Sequence, residues 1–272
     1  MVCGKISRVE ITKTLKVRVR DKHAPLLRKM AVEVNQVWNY CNELSYRMIT
    51  ERGRWMRPYD MDRYLAGACR EFENIGSYTI YETGHEFAKK RKQARRTKLN
   101  WRKSFGTKRS LGWVPFKSRA TSYRNGQIVF AGHHFNVWDS YGLSEYQFRA
   151  GCFTEDARGR WYFCVAVKVE SEPSQGEDRI GIDLGLKAAA TCSDGTTIDG
   201  RWYRGLEQKL ATAQRARHKN RTRAIHAKIA NRRKDALHKV SSKLVKRGNQ
   251  IYVGNGSSGA LTKTKMAKST YD

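Results

Sequence analysis

The residues with the clearest chemical use lie in one short apolar run, Arg179-Ile180-Gly181-Ile182-Asp183-Leu184-Gly185-Leu186. An ionised carboxylate between Ile182 and Leu184 is costly to bury, and it persists in a fold when it holds a metal ion or a phosphate-bound ion. Mg²⁺ suits it, because a hard cation prefers oxygen ligands. Gly181 and Gly185 let another backbone come close. The plain alternative is an acid at a strand end facing water. A two-metal centre needs further carboxylates beside the first. The nearest in sequence are Asp194, Asp199 and Asp235. Asp194 precedes Gly195 and reads as a turn residue. Asp235 reads as a helix residue that packs or pairs with Arg232 at i, i+3.

Charge supplies the second signal. The chain carries 54 Lys plus Arg against 25 Asp plus Glu, a formal net charge of +29. Such an excess repels itself in a compact fold, and a polyanion relieves it. Nucleic acid is the expected partner, since phosphates take up the charge and release counterions. A membrane is not, because no long apolar stretch or amphipathic anchor is present. Two runs concentrate the cations. One holds Lys89, Lys90, Arg91, Lys92, Arg95, Arg96, Arg102 and Lys103, with no acid after Glu86 to balance it. The other holds Arg215, Arg217, Arg221, Arg232, Arg233 and Lys234, with His238 alongside, a residue suited to contacting RNA or filling a helix–sheet seam. Trp101, Trp113 and Trp138 stand near basic residues and could stack bases or fill the core. His133-His134 reads as turn or core. The cysteines (Cys3, Cys41, Cys69, Cys152, Cys164 and Cys192) contain no C-x-x-C pair, so no zinc site is expected among these residues. They read as free thiols of a reducing, cytoplasmic compartment. Met1-Val2-Cys3-Gly4-Lys5 turns polar at once, unlike a secretory leader.

These residues need elements to place them. Alternation from Ile6 to Arg20 predicts a strand pair that turns near Thr12 to Thr14. Ala24-Pro25 opens a helix running to about Thr50, with further helices expected over 60–72 and 83–99. Strand patterns return from Trp113, at 127–130, 146–149 and 161–169, punctuated by Asn125-Gly126 and Ala157-Arg158-Gly159 turns. Residues 1–22 plus 111–172 are thus expected to form a β-barrel, with 23–110 a helical insertion and 173–177 a linker. From 178 to 272 the pattern gives three antiparallel strands (180–184, 188–193, 196–198), helices over 206–217 and 224–245, and a returning strand at 250–254. The fold class is α+β. Three strands with an acid on the first, then helices, then a fourth strand, open a ribonuclease-H-like unit, in which acids on neighbouring strands hold two Mg²⁺ ions about 4 Å apart. The Asp-Leu-Gly element also opens actin-like ATPase domains, which need a second phosphate loop and a longer chain; the basic charge argues against them.

Several motifs together resemble one family. They are Gly181-Ile182-Asp183-Leu184-Gly185-Leu186-Lys187, Leu206-Glu207-Gln208-Lys209-Leu210, the helix motif Arg233-x-Asp235-x-Leu237-His238-Lys239, and Ile251-Tyr252-Val253-Gly254-Asn255. They resemble the transposon-associated TnpB (OrfB) proteins, relatives of the type V CRISPR effectors. The resemblance implies a wedge-type barrel with a helical recognition insertion, followed by a RuvC-like nuclease carrying a zinc ribbon. It also implies a guide RNA derived from the transposon end and a target DNA that pairs with it. Asp183 matches the first RuvC acid and metal ligand. The position of the second, a Glu in the family, is Gly254, whose lack of a side chain leaves the two-metal site incomplete. The third acid and the zinc ribbon would follow Asp272, so a C-terminally truncated member is expected, with Mg²⁺ held only if the site is completed and no zinc within this chain. The function expected is nucleic-acid binding by a protein of a transposable element, descended from an RNA-guided DNA endonuclease but inactive as these 272 residues. The alternatives are a nuclease-dead RNA-guided repressor and a non-functional remnant, whose unfinished sheet would expose apolar surface.

Overall fold

A computed structural model of the chain describes residues 9–171, 176–185 and 187–254. The linker expected at 173–177 therefore falls largely outside the described residues, as do Met1 to Arg8, Leu186 and the residues after Gly254. The protein is a mixed α+β structure in two compact units, one of residues 10–170 and one whose described residues begin mainly at Ser171.

The first unit is built on a seven-stranded sheet and three helices. Its strands are β1 (Val9–Val19), β2 (Trp113–Phe116), β3 (Thr121–Arg124), β4 (Gln127–Phe130), β5 (His133–Trp138), β6 (Phe148–Glu155) and β7 (Trp161–Ser171). Their order across the sheet is β2-β6-β7-β1-β5-β4-β3. The expected turn at Thr12 to Thr14 does not form, and β1 is one strand. Its first half is exposed, so Lys13 interrupts no buried face, and only Leu15, Val17 and Val19 enter the core. The sheet curls until it is nearly closed. Phe116 of β2 lies 5.8 Å, ring to ring, from Phe130 of β4, although several strands separate them in the hydrogen-bonded order. Phe135, Phe153 and Phe163 complete this aromatic interior. His133 and His134 belong to β5 rather than to a turn, opposite Phe130 and Val129.

The helices of this unit are α1 (Ala24–Arg52), α2 (Pro58–Leu65) and α3 (Ser77–Ala94). Helix α2 is shorter than expected. The Asp60 carboxylate accepts the Arg57 backbone N–H at 2.7 Å at its start, and Gly67, at φ +79°, marks a break before a short 3₁₀ turn at Ala68–Glu71. Helix α3 begins earlier and ends earlier than expected, because Arg95 takes a left-handed backbone at φ 50°. The segment after it has no regular structure of its own until β2. Instead, three asparagines on α1 hold it. Asn42 exchanges two hydrogen bonds with the backbone of Leu99 (2.8 and 2.9 Å), and Asn39 does the same with Arg102 (2.9 Å each). Asn35 donates to Ser104 Oγ at 3.1 Å and accepts from Arg102 Nε at 2.6 Å.

The end of that segment is fastened by a buried acid. The Glu155 side chain has no exposure. It accepts both Nη atoms of Arg109, at 2.6 and 2.7 Å, and the Gly112 amide at 3.0 Å. Burial pushes its carboxyl up, but the Arg109 guanidinium, the Gly112 amide and the charge of Arg28 outweigh this and hold it below the usual carboxylate range.

The second unit has a four-stranded sheet and two helices: β8 (Asp178–Leu184), β9 (Ala188–Cys192), β10 (Thr197–Asp199), α4 (Glu207–Arg215), α5 (Lys219–Arg247) and β11 (Gly248–Val253). The sheet order is β10-β9-β8-β11, with β11 parallel to β8 and the other pairs antiparallel. The helix expected at 224–245 extends further at both ends. Its core is small, formed by Ile180, Ala190, Cys192, Ile198 and Leu244. The described cysteines are unpaired, and burial pushes the Cys41 thiol up to about 12 and the Cys152 thiol up to about 11, which leaves both weakly reactive. Among the described residues no helix is long and apolar enough to cross a membrane.

Glu155→Gln tests the buried tie. Losing the charge opposite Arg109 should destabilise the first unit by about 2 kcal/mol, seen as a thermal midpoint about 6 °C lower. The folded carboxyl is held down, so its stabilisation is present above the ordinary glutamate value of 4.5 and is lost as pH falls through the depressed value. The wild-type and variant melting curves should therefore converge in acid, and a gap that widened there would contradict the assignment.

Candidate nucleic-acid interface and the Asp183 carboxylate

Alternation along β8 sorts its side chains onto two faces. Ile182 and Leu184 line a groove beneath α5, with Leu237, Val240 and Leu244 of the helix opposite. Gly181 and Asp183 line a shallow cleft with Thr191, Ser193, Tyr252 and Gly254. Asp183 is therefore exposed rather than buried. Its apolar neighbours Ile182 and Leu184 line the groove on the other face and do not carry the carboxylate inward.

Backbone pairing fixes the neighbours of Asp183. Tyr252 and Val253 align with Gly181 and Ile182, and the Gly254 amide donates to the Ile182 carbonyl at 2.9 Å. A Cβ built on Gly254 would lie 3.5 Å from Asp183 Oδ1. The structure thus brings position 254 to the carboxylate, but with no side chain. Asp194 and Asp235 serve elsewhere. Asp194 accepts the Thr196 amide at 2.9 Å and pairs with Arg247 at 2.9 Å, and Arg247 also holds Asp178. The Thr196 bonds and Arg247 keep the Asp194 carboxyl below its ordinary range. Asp235 pairs with Lys239, at 2.8 Å, and not with Arg232; the i, i+4 spacing with the acid first favours that partner. Among the described residues no group of three His, Cys, Asp or Glu side chains could hold a metal. One carboxylate beside the hydroxyl-bearing Thr191 and Ser193 does not fit a pair of Mg²⁺ ions.

The expected cationic residues fall into two classes. Lys89, Lys90, Lys92, Arg95, Arg96 and Lys103 are exposed, although Lys89 pairs with Glu86 at 2.7 Å. Arg91 is not: it is 3% exposed, hydrogen-bonded to the Ser45 hydroxyl and, at 2.5 Å, to the Met56 carbonyl. Arg102 is half-buried. It donates to Asn35 and to the Leu111 carbonyl and lies 5.8 and 5.6 Å from the Trp38 and Trp113 rings. Burial lowers the pKa of both guanidiniums. These two are withdrawn from the expected interface because their guanidiniums bond inside the fold. In the second unit Arg215, Arg217, Arg221, Arg232, Lys234 and His238 are exposed and Arg233 is half-buried. Helix α5 holds eleven Lys and Arg against one acid, and only Ile229 and Leu244 of its residues are buried. Of the tryptophans, Trp101 and Trp138 are open to solvent, the latter under the Arg20 guanidinium at 4.6 Å. Trp113 packs edge-on against Trp38. Trp55, absent from the expected set, is also exposed.

Residues 162–265 match the family OrfB_IS605, described as "Probable transposase". The OrfB match contains Asp183, Gly254 and all of α4 and α5, whereas Lys89 to Lys103 lie outside it. Among similar proteins, the "Putative RNA-guided DNA endonuclease InsQ" of Escherichia coli (strain K12) is 30% identical over 112 residues, 35% of this chain and 27% of that protein. A "Putative RNA-guided DNA endonuclease" of Streptomyces pristinaespiralis is 27% identical over 183 residues, 61% of this chain and 46% of that protein. The chain thus spans less than half the length of either relative in the matched regions. Among solved structures, a CRISPR-Cas12f ternary complex overlaps 90% of this chain and 65% of its own at 13% identity and TM-score 0.40. A Cas12f1-sgRNA-target DNA complex overlaps 93% and 75% at 14% identity and TM-score 0.33.

Gly254→Glu should test the closeness of position 254 to Asp183. The variant is expected to bind Mn²⁺ in electron paramagnetic resonance titrations at least about tenfold more tightly than the wild type, since a second carboxylate supplies hard oxygen ligands. Adding Asp183→Ala should remove that gain. Equal Mn²⁺ binding by wild type and Gly254→Glu would show that the two positions do not share a site.

Proposed function

We propose that this chain is a nucleic-acid-binding protein of a transposable element, gripping a guide RNA and the DNA paired with it, and that its second unit is a RuvC-like domain with an incomplete two-metal site. The observation that carries the binding reading is the surface of α5. A helix of 29 residues runs about 43 Å, long enough to follow several phosphates, and its cations far outnumber its single acid. A folded protein gains little from such a face alone; released counterions are what reward it. The names of the two curated relatives support the RNA-guided part, and the OrfB match supports the link to a transposable element. The RuvC-like reading rests on the acid on β8 with a parallel β11 returning beside it. Cleavage is not assigned, because Gly254 leaves Asp183 without the second carboxylate that a two-metal reaction requires.

Two measurements test this. RNA affinity should fall steeply with salt: about six phosphate contacts imply a loss on the order of 10³ between 50 and 200 mM. An affinity insensitive to salt would contradict the electrostatic basis. In Mg²⁺, guide-matched DNA should remain intact, and Asp183→Ala should bind as the wild type does. Cleavage that disappears with Asp183→Ala would replace the binding reading with an enzymatic one.

A further inference from the structure

Helix α1 is capped by Gly53, whose φ of +61° turns the chain sharply away while its N–H donates a hydrogen bond to the Ile49 carbonyl. The turn delivers Arg54, Trp55, Met56 and Arg57 before α2 begins. Met56 is the anchor of this loop, 2% exposed. Trp55 beside it stays 51% exposed. An exposed aromatic residue is ordinary by itself; what lies behind this one is not. The Arg91 guanidinium sits 5.2 Å from the centre of the Trp55 ring. Its hydrogen bonds go to neutral oxygens, the Ser45 hydroxyl and the Met56 carbonyl, and its Nε is buried with no partner. Acids on α1 and α2 pair with other groups: Asp60 with Arg54, Asp62 with His85, and Glu43 with Arg47 and Lys98. A buried cation without a carboxylate is expensive, and an apolar residue at the same place would serve the core better. Arg91 holds the loop by its carbonyl and stands against the indole as a cation–π partner.

We infer that Trp55 is a stacking platform for an unpaired nucleobase, with Arg91 as the positioning residue that holds its loop and ring. This rests on the nucleic-acid-binding reading above. The surroundings suit a nucleotide. Arg57 is exposed one residue past Met56, and Lys92, Arg95 and Arg96 are exposed just beyond Arg91 in the chain, so phosphates flanking the stacked base would meet cations. Tyr59, at the start of α2, is a second exposed ring, packed edge-on against His85 at 5.0 Å. A base on Trp55 would gain stacking that every nucleobase can supply and that depends little on sequence.

The test is fluorescence anisotropy with labelled oligouridine of about fifteen nucleotides and an abasic strand of the same length, each titrated across salt. Trp55→Ala should weaken oligouridine binding between about fivefold and a hundredfold, the range of one base–aromatic stack, while leaving the salt slope unchanged. Trp55→Phe should stay within about threefold of wild type, since a ring remains. Arg57→Ala should instead reduce the slope by about 0.7, one single-strand phosphate contact. The abasic strand should bind wild type and Trp55→Ala alike. Arg91→Met should weaken oligouridine binding in the presence of Trp55 and add nothing to Trp55→Ala; independent losses would make Arg91 merely structural. Equal binding of oligouridine by wild type and Trp55→Ala, or a lower slope in Trp55→Ala, would overturn the platform alone. Failure of the wild type to bind either strand would overturn the platform together with the nucleic-acid reading.

Discussion

Electrostatic repulsion is the constraint to which the rest of this fold answers. With 54 basic side chains and 25 acids, carboxylates are scarce, and many are committed to holding the backbone. Asp139 accepts three consecutive amides, from Tyr141 to Leu143, and so closes the loop after β5. Asp156 binds the Arg158 and Arg160 amides at the β6–β7 turn. Glu33 fastens Asn74, and Glu155 fastens Arg109 and Gly112. Asp178 and Asp194 converge on Arg247, where α5 gives way to β11. Apart from Arg247, tied by Asp178 and Asp194, and Lys239, paired with Asp235, acids used in this way leave the cations of α5 unbalanced. The shortage that shapes the interior therefore also leaves the outer surfaces strongly positive.

Uneven burial follows from the same balance. The first unit has a continuous apolar core that runs through sheet and helices. Among the described residues the second has a small cluster at its sheet, Ile180, Ala190, Cys192, Ile198 and Leu244, with Leu206, Ala213 and Ile229 buried along its helices. Its apolar groove beside Leu184 and Val253 is open, and those two side chains are among its more exposed. What holds α5 in place is its packing on α4, where Ala213 and Ile229 are buried, the Leu244 contact with the sheet, and the Arg247 ties at its end.

Much of this was legible in the sequence where periodicity was strict. The apolar repeat of α1, the strand around Ile180 to Leu184 and the returning strand at Gln250 all formed, and the juxtaposition of Asp183 and Gly254 follows from their pairing. Other features were hidden for identifiable reasons. Flanking Ile and Leu suggested that Asp183 is buried, yet in a strand neighbours occupy the opposite face. Arg91 was read as part of a charge run, although it stands four residues after Phe87, on the stripe that helical geometry sends inward. Arg102 gave no such sign, because its surroundings are assembled from α1 and from strand β2. Trp55 was missed because its significance comes from Arg91, distant in sequence, and not from its own neighbours.

The asparagines of α1 have a separate consequence. Asn39 and Asn42 grip the segment at Leu99 and Arg102 through main-chain atoms, which every residue offers alike. The clamp is thus indifferent to the identity of the side chains it holds. The Asn39 and Asn42 bonds therefore survive side-chain changes along Leu99 to Lys103, although Leu99 and Arg102 are also held by their own side chains, while the asparagines have few replacements, since only a primary amide of the right reach both donates and accepts in that plane. The hold of these two asparagines on the segment is thus written in the helix and not in the side chains they grip.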